Sequence, residues 1–176
     1  VCIGDGAMGT GTLADATYNV AVGYQSLKAV TTGDNNVAVG ALAGDAITEG
    51  NYTTAIGYGA LSTITTASYN TALGYLAGDI VSSGASNTLL GTHAGGGLTT
   101  GGSNVFIGQF AGGLSQDVDN AIIIGKDAAS GANITDAADG TIAIGVNALL
   151  SLTSGIGNIA IGYQALDAED DGDFNT

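Results

Sequence analysis

A glycine preceded by an aliphatic residue returns along almost the whole chain, at Gly4, Gly23, Gly40, Gly57, Gly74, Gly91, Gly108, Gly125, Gly145 and Gly162. The separation is seventeen residues except in the first interval, where it is nineteen, and around "SGANITDAADG", where it is twenty. Few architectures accept such a sequence. A fixed period of this length means that each unit occupies the same environment as the one before it, which happens when units stack as equivalent layers. Surface loops absorb the extra residues, because the register recovers after each excess.

Aligned in register, the units separate into positions with distinct chemistry. The residue before the glycine is Ile3, Val22, Val39, Ile56, Leu73, Leu90, Ile107, Ile124, Ile144 and Ile161. Two residues earlier stand Val1, Val20, Val37, Thr54, Thr71, Thr88, Val105, Ile122, Ile142 and Ile159. Period-two recurrence of β-branched residues marks one side of a strand. We expect that side to be the interior, with Val22, Val39, Ile56, Leu73, Leu90, Ile107, Ile124, Ile144 and Ile161 as its core ladder. Alanine three after the glycine, and Val30, Ile47, Ile64, Val81, Leu98 and Leu152 seven after it, would close the core from facing segments.

The other side of the strand carries small residues where a solvated face would carry charge. Cys2, Ala21, Ala38, Ala55, Ala72, Leu89, Phe106, Ile123, Ala143 and Ala160 lie two before the glycine, and Asn19, Asn36, Asn70, Asn87, Asn104 and Asn158 lie four before it. A strand apolar on both sides is covered on both sides. Ala21, Ala38, Ala55, Ala72, Ala143 and Ala160 are therefore expected at a boundary between chains, with Leu89, Phe106 and Ile123 marking a wider contact. Cys2 reads as one more small apolar member of this set.

Seventeen residues suit one rung of a β-helix or β-roll, with two or three strands of roughly 4–5 residues joined by tight turns. "TTGDNN", "ITEGN", "SSGASN", "TTGGSN" and "LTSGIGN" supply the turn residues. The expected fold is all-β, a solenoid of about ten rungs forming a single repeat array over residues 1–176, and asparagines in register are expected to form amide ladders. The absence of proline keeps every backbone N–H available to the ladder.

Sixteen acidic residues stand against only Lys28 and Lys126, for a net charge of −14. Phosphate recognition needs a basic surface, so nucleic acid and anionic membrane are not expected partners, and no membrane-spanning run is present. With one cysteine there is no intrachain disulfide. The sequence starts and stops in mid-rung without a capping element, so we expect a segment of a longer fibrous polypeptide whose targeting signals lie elsewhere.

The units "NVAVGYQSL", "NVAVGALAG", "YNTALGYLAG", "NVFIGQFAG" and "NIAIGYQAL" resemble the head repeats of trimeric autotransporter adhesins of the YadA type and the similar repeats of phage tail fibres. The resemblance implies a left-handed β-roll in each chain, three chains around one axis as a homotrimer, and an extracellular, cell-surface or virion location. The unit here is longer than the adhesin head repeat, and no coiled-coil stalk or anchor accompanies it.

Chemical sites are sparse. His93 is the sole histidine, two after a glycine in a position that varies from unit to unit, so neither a nucleophilic triad nor a zinc site assembles within one chain. No catalysis and no cofactor are expected. In "DAEDDGD", Asp167, Glu169, Asp171 and Gly172 match positions one, three, five and six of a calcium loop, but no helices flank it, and it reads as a solvated acidic turn. "GTGT" and "TTGG" lack the lysine and helix of a phosphate loop. Tyr24, Tyr58, Tyr75 and Tyr163 follow the glycine and Tyr18, Tyr52 and Tyr69 precede it by five. We expect these rings to cover the core or seal a subunit boundary, with stacking on a glycan receptor as the competing reading.

Three functions follow as expectations. The leading one is a structural or adhesive shaft segment of a trimeric extracellular fibre. The second is a self-assembling filament subunit stacking head to tail. The third is an ice- or carbohydrate-binding β-helix, suggested by the file Thr54, Thr71 and Thr88.

Overall fold

A computed structural model describes residues 1–9, 14–135 and 138–176. Ten strands follow one another: β1 (Cys2–Ile3), β2 (Val20–Val22), β3 (Val37–Val39), β4 (Thr54–Ile56), β5 (Thr71–Leu73), β6 (Thr88–Leu90), β7 (Val105–Ile107), β8 (Ile122–Ile124), β9 (Ile142–Ile144) and β10 (Ile159–Ile161). They form one parallel sheet in sequence order. Ala21 pairs with Ala38, Ala38 with Ala55 and Ala55 with Ala72, so each repeat lies on the next without a slip. Parallel neighbours joined in sequence order require a full turn between them, and the chain is a β-solenoid of about nine turns.

Among the described residues each coil contributes one strand, three residues long except for the two-residue β1, rather than two or three longer ones. The reason lies in the backbone between strands. Gln25, Leu42, Leu76, His93 and Phe110, then Leu27, Leu61 and Leu149, and finally Tyr18, Tyr52 and Tyr69 all have φ between 48° and 64°. These left-handed residues bend the chain before an extended segment can lengthen, and leucine or tyrosine there carries a steric cost that glycine would not. Hydrogen bonds along the rod continue through the bends, as in Leu42 N–H to Tyr24 O at 2.9 Å and Gly44 N–H to Ala60 O at 2.9 Å. The repeat glycine is needed for a separate reason. At Gly40, φ is +134° and a Cβ would stand 2.5 Å from Gly57 O of the next coil.

The interior is the reverse of the expected one. Ala21, Ala38, Ala55, Ala72 and Ala143 are 0% exposed and Ala160 2%, so they line the coil's own core and have no surface to offer another chain. Val22, Val39, Ile56, Leu73, Leu90, Ile107, Ile124, Ile144 and Ile161 point outward and form no core ladder, with Val39 36% and Leu73 46% exposed. A seventeen-residue coil is too narrow to hold large residues on every wall. Leu27, Leu61 and Leu149, four after the glycine, and Val30, Ile47, Ile64, Val81, Leu98 and Leu152, seven after it, are all fully buried and fill the space facing alanine. Leu89, Phe106 and Ile123 are fully buried in the same interior and mark no chain contact, with Leu89 packed against Gly95 and Phe106 against Gly112. Each buried aliphatic side chain contributes roughly 1.5–3 kcal/mol, and the sum accumulates coil by coil.

The asparagines stack in register, but apart from the bond of Asn87 Nδ2 to Asn70 Oδ1 their amides bond to backbone groups of the next coil rather than to one another as expected. Asn87 Oδ1 accepts from Asn104 N–H at 3.0 Å while its Nδ2 donates to Gly101 O at 3.0 Å, and Asn36 makes the same two bonds to Thr53 and Gly50. These amides are buried, so the bonds satisfy groups that water cannot reach. The two-residue excess of the first interval falls in a stretch containing 10–13, most of "GTGT" lies there too, and the later excess contains 136–137. Those residues lie outside the described ones.

Candidate interaction face

With alanine turned inward, the outer surface of the sheet is made by the β-branched residues. Val20, Val37, Thr54, Thr71, Thr88, Val105, Ile122, Ile142 and Ile159 form one file and the residues from Val22 to Ile161 form the second. No charged residue interrupts either file. Nine strand spacings of about 4.8 Å give a length of about 43 Å, and the files with their rims span about 15–20 Å. With its rims the area is on the order of 800 Å², about half of it the apolar files, and the whole matches what each partner contributes to a stable protein interface. Large contiguous apolar patches of this kind mark contact surfaces.

Aromatic rings border the face. Tyr52 and Tyr69 stack on one rim at 5.3 Å with planes 5° apart, and Tyr58 and Tyr75 on the other at 5.6 Å and 15°. The second row continues to His93, which meets Tyr75 edge-on at 5.6 Å and stacks on Phe110 at 5.2 Å. These tyrosines are about half exposed and do not cover the core. Within each pair, stacking covers one face of each ring. His93 is partly exposed and held in the aromatic row.

Hydroxyl groups differ sharply between the face and the turns. Thr31, Thr48 and Thr99, eight after the glycine, each donate to a carbonyl of the next coil at 3.0–3.2 Å. Thr54, Thr71 and Thr88, on successive strands of the outer face, make no side-chain hydrogen bond among the described residues. Their outward placement also corrects the expectation that this file lies inside.

The acidic groups lie outside the two files, with Asp5 and Asp127 at rim positions held by Tyr58 and Phe110 in other coils. Asp45 and Asp79 stand five after the glycine, and burial raises both carboxyls above the ordinary range. At Asp45 its own backbone N–H and Lys28 offset part of this, and at Asp79 His93 and the backbone do so. Carboxyl oxygens of Glu169, Asp170 and Asp171 lie within 4.8 Å of one another, but Glu169 Oε1 already accepts from Gly172 N–H at 2.7 Å. That bond closes the turn and leaves an exposed acidic corner. Among the described residues there is no pocket, and no helix is long and apolar enough to cross a membrane.

No family model matches the sequence, and neither curated proteins nor solved structures provide a match.

Proposed function

We propose that this chain is a structural shaft segment of an extracellular homo-oligomeric fibre, in which copies pack side by side through the outer face of the β1–β10 sheet. One observation carries the reading: two uncharged files of Val, Ile, Leu and Thr run along the rod while the acidic residues lie elsewhere. Burying that face removes apolar surface from water, and the −14 charge stays at the periphery where it favours solubility. Three chains about one axis is the arrangement that the resemblance to adhesin heads and tail fibres favours. A cell-surface or virion location and an adhesive role at the tyrosine rims belong to the same reading.

Light scattering on the protein and on Ile107→Lys tests it. The unaltered chain is expected to run as an oligomer and the variant as a monomer with an unchanged far-UV spectrum, since Ile107 points away from the coil's interior. A monomeric unaltered chain at micromolar concentration rejects the reading.

One observation favours ice binding as a second function, because Thr54, Thr71 and Thr88 face solvent with free hydroxyls at the strand spacing. The file covers three coils only. Thermal hysteresis at millimolar protein decides this, and its absence removes the alternative.

A further inference from the structure

The outer face carries a problem of register. Its two files repeat every coil, and a surface of Val and Ile at a strand spacing of about 4.8 Å presents nearly the same relief after sliding by one coil, or two, or three. Apolar contact between copies is non-directional and would distinguish these positions poorly. One block breaks the repetition. Thr54, Thr71 and Thr88 replace Val or Ile on three consecutive strands, β4, β5 and β6, and their hydroxyls have no partner within the chain among the described residues.

We propose that this threonine block sets the axial register of side-by-side copies of the chain, the partner being a second copy running in the same direction with no axial offset. The inference rests on the oligomeric shaft reading, in which chains of one fibre run together. Once the face is covered, these hydroxyls lose water and need another acceptor or donor. Valine and isoleucine supply neither, whereas a threonine hydroxyl is both donor and acceptor. With no offset, Thr54, Thr71 and Thr88 meet their own counterparts. A slip of one coil places Thr54 of one copy against Val37 of the other and Thr88 of the second against Val105 of the first, which orphans one hydroxyl on each. A slip of three coils orphans all of them. A polar residue in an otherwise apolar coiled-coil seam specifies register by the same physics.

The stacked tyrosines flank the same stretch. Tyr52 and Tyr69 lie on one rim and Tyr58 and Tyr75 on the other, so the four rings border β4 and β5, two of the three threonine-bearing strands. Their hydroxyls are additional donors and acceptors at the margin of the contact.

The experiment uses Cys2→Ser protein, so that introduced thiols are the only ones. Val105→Cys chains and Ile122→Cys chains, differing in mass by a tag, are refolded together and cross-linked with a short bismaleimide. In the threonine-bearing protein, cross-links between two Val105→Cys chains are expected to exceed mixed Val105→Cys with Ile122→Cys cross-links by at least about tenfold. In Thr54→Val/Thr71→Val/Thr88→Val the two are expected to approach equality, because slipped registers become populated. Valine occupies the same file at Val20, Val37 and Val105, so this variant keeps the residue type that the fold already uses there. Thr54→Ser/Thr71→Ser/Thr88→Ser retains the hydroxyls and is expected to keep the original pattern.

An unchanged cross-link pattern in the valine variant, with the oligomer intact by light scattering, overturns the inference and leaves the shaft reading standing. Dominant cross-linking between Val37→Cys and Val105→Cys chains would show antiparallel pairing about Thr71 and overturns it as well. A monomer in the threonine-bearing protein removes the shaft reading and this inference together.

Discussion

Phe106 lies against Gly112 inside one coil, so closely that a Cβ on Gly112 would stand 2.5 Å from Phe106 Cε2. In other coils the relationship is inverted: Ala21 accompanies Leu27, Ala55 accompanies Leu61, and Ala143 accompanies Leu149, all six buried. The two positions share one volume in these coils, while Ala38 with Gly44 and Ala72 with Gly78 are small on both walls, and Leu27, Leu61 and Leu89 of adjacent coils reach into that space. Close packing in interiors favours such exchange, because neither a void nor an overlap is tolerated cheaply.

Gly112→Ala is therefore expected to destabilise the protein by about 2–4 kcal/mol, combining overpacking against Phe106 with a left-handed backbone. Phe106→Ala is expected to cost about 3–5 kcal/mol through the cavity it leaves. Phe106→Ala/Gly112→Leu recreates the arrangement of Ala55 and Leu61 and should recover much of the loss. Urea denaturation of the four proteins measures the coupling, and strictly additive effects would contradict the shared volume.

Asn87→Ala removes an acceptor from Asn104 N–H and a donor from Gly101 O in a site with no access to water. Each unsatisfied buried group costs about 1–3 kcal/mol, so the expected loss is about 2–5 kcal/mol. Hydrogen exchange should show faster exchange at Asn104 and its neighbours before the distant coils are affected, as expected of a stacked architecture. Uniformly unchanged protection would refute the ladder's role.

Gly40→Ala places a methyl group against Gly57 O at 2.5 Å with φ at +134°. The clash is with backbone, which no side-chain rotation can relieve. We expect a loss of at least ~3 kcal/mol, measured as a fall in Tm by circular dichroism. A Tm unchanged within a degree or so would show that the coils are spaced more loosely than the structure describes.

Asp45 and Asp79 hold their protons to higher pH in the folded chain than in the unfolded one, because burial disfavours the charged carboxylate. The folded state then binds more protons than the unfolded state just above the ordinary value of 3.8, so these two groups make stability fall as pH rises through that window. Asp45→Asn and Asp79→Asn are each expected to raise Tm at pH 7 by an amount worth well under about 1 kcal/mol, since both carboxyls are only partly buried and water screens what remains. The gain should disappear near pH 3. A gain that grows on acidification would have the opposite sign and exclude this cause.

The period, the number of layers, their order and the set of apolar positions were all legible in the amino-acid sequence, because stacking forces equivalent residues to recur at equivalent places. Asn19, Asn36, Asn70, Asn87, Asn104 and Asn158 could be assigned to a ladder for that reason. The side of the strand that faces inward was decided only by the tertiary structure. Period two establishes that a strand has two sides, and when Ala55 stands on one and Thr54 and Ile56 on the other, both are compatible with burial. Closure of the coil selects between them, and closure depends on left-handed bends occupied by Leu42, Leu61, Tyr52 and His93. Leucine and tyrosine do not themselves signal such a bend, and only Gly59, Gly44 and Gly157 at the equivalent positions of other coils betray it; in the leucine and tyrosine coils the conformation is held by bonds to the neighbouring coil. The exchange of bulk between Phe106 and Gly112, and between Ala55 and Leu61, is a further trace of the answer in the sequence, and it acquires meaning only when those residues are known to share a volume.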